Sequence, residues 1–328
     1  MKQAYRLAGE MDMAFGPVPS RRFGRSLGVN NVPPKTCSYA CVYCQAGRTD
    51  RYRCSRGRFC DPNRVVEAVG RKLEIARKAG KRIDCVTFVS EGEPTLDLKL
   101  GAEIELLTSF GHAVAVITNG SLLWRADVRR DIGKADQVSL KVDAVREDLW
   151  RALDRPHKDL RLPVILQGQQ EFARSYQGRL LTETMLVRGI NDSPSVICQV
   201  ARFVASLRPA RAYLSVPTRP PAESHARAPR PAVIRACRDA FSREFPHVGL
   251  LSVEPGGDFG CGEDPVGDVL GITAVHPMRE ESLRAMVAKS EGDWGMVEAL
   301  VAQGRVVVTE RAGERFYRKV SPRRRRTS

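Results

Sequence analysis

Residues 37–44 read Cys-Ser-Tyr-Ala-Cys-Val-Tyr-Cys, three thiols in eight positions. Thiolates bind soft metals, zinc and iron–sulfur clusters foremost. A structural zinc site takes four ligands, commonly in paired Cys-x2-Cys units. Here the spacing is Cys-x3-Cys-x2-Cys, with no fourth cysteine in the stretch. A [4Fe–4S] cube ordinarily uses four thiolates. Three would leave one iron open to an outside ligand, as a catalytic metal keeps one open position.

The chain around this stretch has 328 residues, 42% of them hydrophobic, which gives a prior of about two domains and allows a sizeable core. No apolar run approaches the roughly 20 residues that cross a bilayer. The first sixteen residues lack the apolar region of a signal peptide. The expectation is a soluble, cytoplasmic protein with no membrane partner. In that compartment thiols stay reduced, so nine cysteines argue for metal or chemistry rather than disulfides. A formal charge of +15 fits a polyanionic partner, nucleic acid first. Part of it is a run of four arginines, Arg323–Arg326, that reads as a solvated tail.

Beyond residue 60, helical and strand patterns alternate. Helices are expected at 62–79, 96–110, 124–132, 145–153, 164–176, 194–207 and 231–245. Strands are expected at 27–32, 84–90, 113–118, 137–142, 179–187, 210–216 and 249–253. The Gly/Pro-rich stretches 217–231 and 255–271 read as loops or a boundary. This alternation argues for an α/β fold, a parallel sheet with right-handed crossovers. Seven strands suit a barrel or partial barrel better than a flat doubly wound sheet. Reactive motifs should then follow strands. The end changes character: helices at 279–289 and 293–303 and two strands within 305–320 resemble a small winged-helix module. The expected units are 1–265, a barrel with an N-terminal extension; 272–320, the winged-helix-like module; and 321–328, a basic tail.

The Cys-x3-Cys-x2-Cys motif, with an aromatic residue before the third cysteine, resembles the signature of the radical S-adenosylmethionine (SAM) superfamily. The resemblance implies a partial (βα)6-type TIM barrel and a [4Fe–4S] cluster on Cys37, Cys41 and Cys44. It implies SAM chelated at the open iron and cleaved reductively to a 5′-deoxyadenosyl radical that abstracts hydrogen from substrate. The cofactors carry the difficult chemistry and the protein positions them. Tyr43 would lie near the adenine. Glu91-Gly92-Glu93-Pro94, after a strand, is similar to the family's GGEP motif, with Glu93 the acceptor for the SAM ammonium; Glu91 departs from its first Gly. Thr118-Asn119-Gly120 ends the next strand, and Asn119 would bond the ribose or carboxylate of SAM. Ser139, Lys141 and Asp143 alternate onto one face, where the family has polar SAM contacts. Related sequences tend to read Ser-Leu-Asp-Ala, so Lys141 is a departure. It either neutralises a SAM carboxylate, binds an anionic substrate, or simply pairs with Asp143. Val187 and Ile190, in Val-Arg-Gly-Ile-Asn-Asp, would flank the adenine. Arg219 reaches substrate or belongs to a rigid surface loop. Lys141 and Arg219 are the candidate catalytic residues.

Phe15–Asn30, Pro33-Pro34-Lys35 and Thr273–Arg279 carry a closer resemblance, to wyosine-synthase-like (tRNA imidazoguanosine synthetase-like) Fe–S oxidoreductases. It implies tRNA or another RNA as substrate and an electron donor such as flavodoxin or ferredoxin. No further cysteine triplet lies upstream of the first, which sets this chain apart from the true wyosine-base synthases. Arg21, Arg22, Arg25, Lys35, Arg48, Arg51, Arg53, Arg56 and Arg58 surround the triad and are expected to neutralise phosphates. A protein, peptide or small-molecule substrate is the alternative. A non-catalytic metal-binding, nucleic-acid-binding regulator is the rival of another class. Cys54, Cys60 and Cys261 are candidates for an auxiliary cluster, whereas Cys85, Cys198 and Cys237 read as small buried hydrophobes. His276 reads as a capping or packing residue.

Overall fold

The computed structural model describes residues 13–251, 259, 264–290, 292–311 and 313–320. The chain enters through an antiparallel hairpin, β1 (Ala14–Ser20) and β2 (Gly24–Val29). A short parallel pair, β3 (Thr36–Cys37) and β4 (Arg51–Tyr52), brackets the cysteine loop. Helix α1 (Pro62–Lys78) starts where Asp61 accepts from the Asn63 amide and Pro62 fills the first turn. The alternation then runs β5 (Cys85–Phe88), α2 (Leu100–Thr108), β6 (Ala113–Thr118), α3 (Ala126–Ile132), β7 (Gln137–Lys141), α4 (Glu147–Asp154) and α5 (Leu162–Ser175). It continues with β8 (Arg179–Met185), α6 (Pro194–Leu207), β9 (Arg211–Ser215), α7 (Pro231–Glu244) and β10 (Val248–Leu251).

The sheet order is β1-β2-β5-β6-β7-β8-β9-β10, with every neighbour pair after the first hairpin parallel. The seven parallel strands are those the alternation predicts, curled into a half-barrel. Strands covered on both faces read as unbroken apolar runs, and β5 is buried at every residue. Phe88, Phe172 and Phe241 are fully buried, each contributing roughly 1.5–3 kcal/mol. The first parallel strand lies three residues earlier than expected, because Asn30 and Asn31 leave the ladder for side-chain bonds with residues 90–94 and Glu103.

Two elements depart from the sequence reading. β1 contains Pro17 and Pro19 and was not expected; an edge strand tolerates proline because its outer amides need no partner. Residues 255–271 were expected to form a loop or a boundary, yet α8 (Pro265–Val275) is a helix, capped by Asp264 accepting from the Gly267 amide. α8 shares a second core with Phe15, β11 (Met278–Arg279), α9 (Glu280–Lys289), α10 (Trp294–Ala302), β12 (Val306–Arg311) and β13 (Glu314–Lys319). These last five strand and helix elements close on a three-stranded sheet of order β11-β13-β12. Residues 217–230 carry no helix or strand, as expected. Arg323–Arg326 and Cys261 lie outside the described residues. No helix among the described residues is long and apolar enough to cross a membrane.

Candidate active site at the strand ends

The cysteine loop sits over the carboxyl end of the parallel strands, where a barrel collects its chemistry. Cys37, Cys41 and Cys44 are half-buried and free. Two strand ends and one helix end close on them. From β6, Asn119 Nδ2 donates to Cys37 Sγ at 3.6 Å and to Ser38 Oγ at 3.0 Å. Cys41 Sγ donates to Asp154 Oδ1 at 3.3 Å, at the end of α4. Behind β5, Gly92 passes so close to the loop that a Cβ there would stand 1.9 Å from the Thr36 carbonyl oxygen. Gly120 turns the chain after β6 at φ +71°, where an L side chain is strained.

Glu93 is fully buried at the head of this turn, and both carboxylate oxygens are already taken. Thr95 N at 3.1 Å and the Thr95 and Thr118 hydroxyls at 2.6 Å donate to Oε1, and Asn119 N donates to Oε2 at 2.8 Å. Glu93 therefore ties the end of β5 to the end of β6. Gly92 and Pro94 supply the turn itself, Pro94 opening the 3-10 segment Pro94–Leu96.

Ser139, Lys141 and Asp143 fall on one side of β7, as alternation predicts, and face the half-barrel interior. Lys141 Nζ lies 3.4 Å from Glu183 Oε1, 3.7 Å from Asp143 Oδ2 and 4.5 Å from the Tyr43 ring centre. Burial works against its charge, but Asp143 and Glu183 outweigh burial and hold the ammonium well above the usual range. The internal Lys141–Asp143 pair is thus present, extended by Glu183, a residue the sequence reading passed over. Tyr43 donates to Asp143 Oδ2 in a short bond and lies 3.2 Å from Asp154 Oδ1. Ser139 Oγ accepts from Arg22 Nη1 at 3.2 Å, and the same guanidinium holds Glu183.

Glu183 is buried, which alone would raise its pKa. Arg22, Lys141 and a hydrogen bond from Ser215 at 2.9 Å prevail and pull it down to about 2. A depressed carboxylate adds stability that is present above its unfolded pKa and lost as pH falls toward the folded value. Glu183→Gln should therefore be less stable than wild type at neutral pH by on the order of 3 kcal/mol. Urea unfolding of the cofactor-free protein should show that gap closing between about pH 4.5 and about pH 2. A gap that is constant across that window would contradict the ion-pair assignment.

Val187 is fully buried and its amide donates to Asn191 Oδ1 at 2.8 Å; Asn191 in turn donates to the carbonyls of Asp143 and Met185. Ile190 is half-buried beside it. Arg219 turns to the residue that follows Cys44 and to the C-terminal unit. Its Nη1 donates to Gln45 Oε1 at 3.0 Å and its Nη2 to His276 Nε2 at 2.6 Å. Burial first, then Arg219 and Arg21, hold His276 well below the usual imidazole range, so it is neutral and can accept that bond. His276 is the expected cap, closing α8 through its amide to the Ile272 carbonyl at 2.8 Å, and its ring is also part of the site wall. With Phe15, Arg21, Arg22, Gln45 and Arg219 it lines a cavity of about 160 Å³ inside the half-barrel. The C-terminal unit walls this chamber: Gln45 donates to the Val275 carbonyl at 2.9 Å, Arg318 to the Ala46 carbonyl at 3.4 Å and Arg311 to the Pro217 carbonyl at 3.3 Å.

The expected basic halo is partly internal. Arg56 is buried, paired with Asp131 at 2.6 Å and Asp127 at 2.9 Å. Lys35 is buried against Glu91 at 3.6 Å, and Arg22 holds Glu183. These three brace the fold and do not reach a phosphate; Arg21, Arg48 and Arg58 are exposed.

The donor set suits an iron–sulfur cube better than one ion. Zinc on two thiolates holds their sulfurs about 3.8 Å apart, given Zn–S near 2.3 Å. Among the described residues the only three-donor group with every ligand atom within 4.8 Å excludes the triad. Burial pushes the Cys41 thiol up, with Asp154 next among the causes, and likewise Cys37, with Glu93 next. Iron and a sulfonium nucleotide bring positive charge to offset that acidic surrounding. A buried acceptor also waits there: Gln169 Oε1, 3% exposed and without a hydrogen-bond partner, lines a recess with Asn119, Lys141, Asp143 and Asp154. No sequence signal marks Gln169, one polar residue on a largely apolar helix face.

Comparison with known proteins agrees. The family model described as the radical SAM superfamily matches residues 31–195. That match spans half of the chain and defines the class, a radical SAM enzyme. A UPF0026 protein of Methanocaldococcus jannaschii is 42% identical over 311 residues, 94% of this chain and 96% of that protein. The dual-specificity RNA methyltransferase RlmN of Anaeromyxobacter dehalogenans is 25% identical over 216 residues, 62% of this chain and 55% of that protein. The solved structure of TYW1 with a lysine-pyruvate adduct bound shares the fold, with a TM-score of 0.53 at 19% identity over 67% of this chain and 73% of that one. The chain belongs to the radical SAM superfamily and, within it, to the UPF0026 family. Its cofactors are a [4Fe–4S] cluster and SAM, and the reading as a non-catalytic regulator falls away.

Proposed function

We propose that this enzyme abstracts hydrogen from an RNA, tRNA first, with Cys37, Cys41 and Cys44 holding the cluster. When bound, the cluster and SAM supply a 5′-deoxyadenosyl radical. The chain's residues do the rest. Asn119 holds the loop at Cys37; Glu93 fixes the strand ends beneath it. Lys141 and Asp143 present one positive and one negative group, suited to the carboxylate and ammonium of an amino acid. Gln169 offers its carbonyl to a ribose hydroxyl, while Tyr43, Val187 and Ile190 form the apolar wall for the adenine. Arg219, Gln45 and His276 meet the substrate across the chamber. The winged-helix-like module, 272–320 with the helix before it, brings the macromolecule to that mouth. The electron donor is of the flavodoxin or ferredoxin class, and the setting is cytoplasmic.

The observation that carries this reading is three thiols on a strand-end loop whose next residue, Gln45, lines a chamber much smaller than the roughly 300–1,000 Å³ of sites that enclose a whole ligand. A chamber of that size admits one group of a larger molecule, such as a base turned out of its stack. The similarity to an RNA methyltransferase and the +15 charge favour RNA over a peptide. The test is anaerobic turnover with deuterated bulk tRNA, deuterated peptides and deuterated metabolites. Label in 5′-deoxyadenosine from tRNA alone is expected. Label only from peptide or metabolite would overturn the RNA assignment and keep the chemistry.

A further inference from the structure

We propose that Cys54, His157 and Asp159 form a second metal centre, a mononuclear zinc site that fastens the 155–160 segment to the cysteine loop. Their ligand atoms form a triangle: Cys54 Sγ to His157 Nδ1 3.5 Å, Nδ1 to Asp159 Oδ2 3.5 Å, and Sγ to Oδ2 4.0 Å. Tetrahedral zinc with ordinary bond lengths to sulfur, nitrogen and oxygen sets those edges at about 3.6, 3.4 and 3.6 Å. Only the edge from Cys54 to Asp159 needs to shorten appreciably, and that carboxylate is 62% exposed and free to turn. Among the described residues this is the only set of three such donors with all ligand atoms within 4.8 Å; the site is empty.

The arrangement is not a nucleophile–base–acid relay. Such a relay uses both imidazole nitrogens, one for the nucleophile and one for the carboxylate. Here sulfur and carboxylate converge on the same nitrogen, Nδ1, as donors do around one ion. The Asp159 amide lies 3.4 Å from Nδ1 as a donor, which puts the ring proton on Nε2; a bound metal would take over the Nδ1 lone pair from this long bond. One thiolate, one imidazole and one carboxylate suit zinc, with the fourth position for water.

The second observation is where the triangle hangs. Cys54 lies two residues beyond β4, and the Arg53 amide donates to the Cys37 carbonyl at 3.0 Å. The His157 amide donates to the Ser38 carbonyl at 2.9 Å, and the Tyr52 ring packs on the His157 ring with centroids 5.1 Å apart. A metal there joins two segments that both carry the first residues of the cysteine loop. Cys60 takes no part: it is buried and donates to the Asn31 carbonyl at 3.3 Å. An auxiliary cluster on Cys54 and Cys60 is not what the geometry supports.

The experiment uses full-length protein purified anaerobically, together with a Cys37→Ala/Cys41→Ala/Cys44→Ala variant. Each is given one equivalent of zinc, dialysed and analysed by elemental mass spectrometry. One zinc per chain is expected in both, since the site does not need the triad. Cys54→Ser and His157→Ala should lose that zinc while keeping their cluster iron. Asp159→Asn, on an exposed side chain, should weaken zinc by tenfold or more. Cobalt substitution adds a readout that does not depend on yield: a thiolate-to-cobalt absorption band present in wild type and absent in Cys54→Ser. Zinc that remains in Cys54→Ser and His157→Ala, or wild type that retains none, would overturn the proposal.

Discussion

Cys41→Ala is expected to abolish SAM cleavage, by at least about a thousandfold, or about 4 kcal/mol in barrier terms. The reasoning is one of ligand count. Three thiols share the loop, and an iron cube already short of its usual four loses its footing with two. The folded protein should barely notice. In the cofactor-free chain Cys41 is half-buried and spends its thiol on one 3.3 Å bond to Asp154. Circular dichroism and urea unfolding of the cofactor-free variant should match wild type to within about 1 kcal/mol. Iron content and 5′-deoxyadenosine yield after anaerobic reconstitution should fall together. Yield that persists with iron bound would remove Cys41 from the ligand set.

Lys141→Met is expected to destabilise the cofactor-free protein by about 3–5 kcal/mol, because it leaves buried carboxylates without their cation. Asp143 and Glu183 both lie within 4 Å of the ammonium, and Arg22 serves Glu183 but not Asp143. The loss should be largely local in origin. Adding Asp143→Asn to Lys141→Met removes the stranded charge and should recover part of the stability, whereas two independent sites would add their costs. The same variant should bind SAM weakly, since Lys141 is the cation proposed for its carboxylate. Equilibrium unfolding of the two single variants and the double variant measures the coupling. A coupling indistinguishable from zero would mean that Lys141 and Asp143 do not act as a pair.

The barrel was legible because parallel strands buried on both faces leave unbroken apolar runs, as in Cys85–Phe88 and Ala113–Thr118. The motif residues were legible because a barrel delivers them to strand ends. What stayed hidden depends on distant pairing. Glu183 looks like any strand residue until Arg22, 161 positions away, is folded against it. Arg56 reads as one more surface cation in an arginine-rich stretch, although Asp127 and Asp131 hold it in the interior. β1 hides behind its prolines, which only an edge position excuses. α8 carries a helix start in Asp264-Pro265, but the glycine and proline count around it outweighed that signal. His276 gained its place from the packing of the C-terminal unit against the half-barrel, which no local pattern announces.

Electron paramagnetic resonance of the dithionite-reduced protein, recorded without and with SAM, tests the central claim most directly. A cube held by three cysteines, with one iron free to take the nucleotide, predicts a [4Fe–4S]+ signal that shifts when SAM is added, and magnetic coupling to isotope placed in its amino and carboxylate groups. An iron–sulfur signal identical with and without SAM, or a protein that holds no iron after reconstitution, would contradict it.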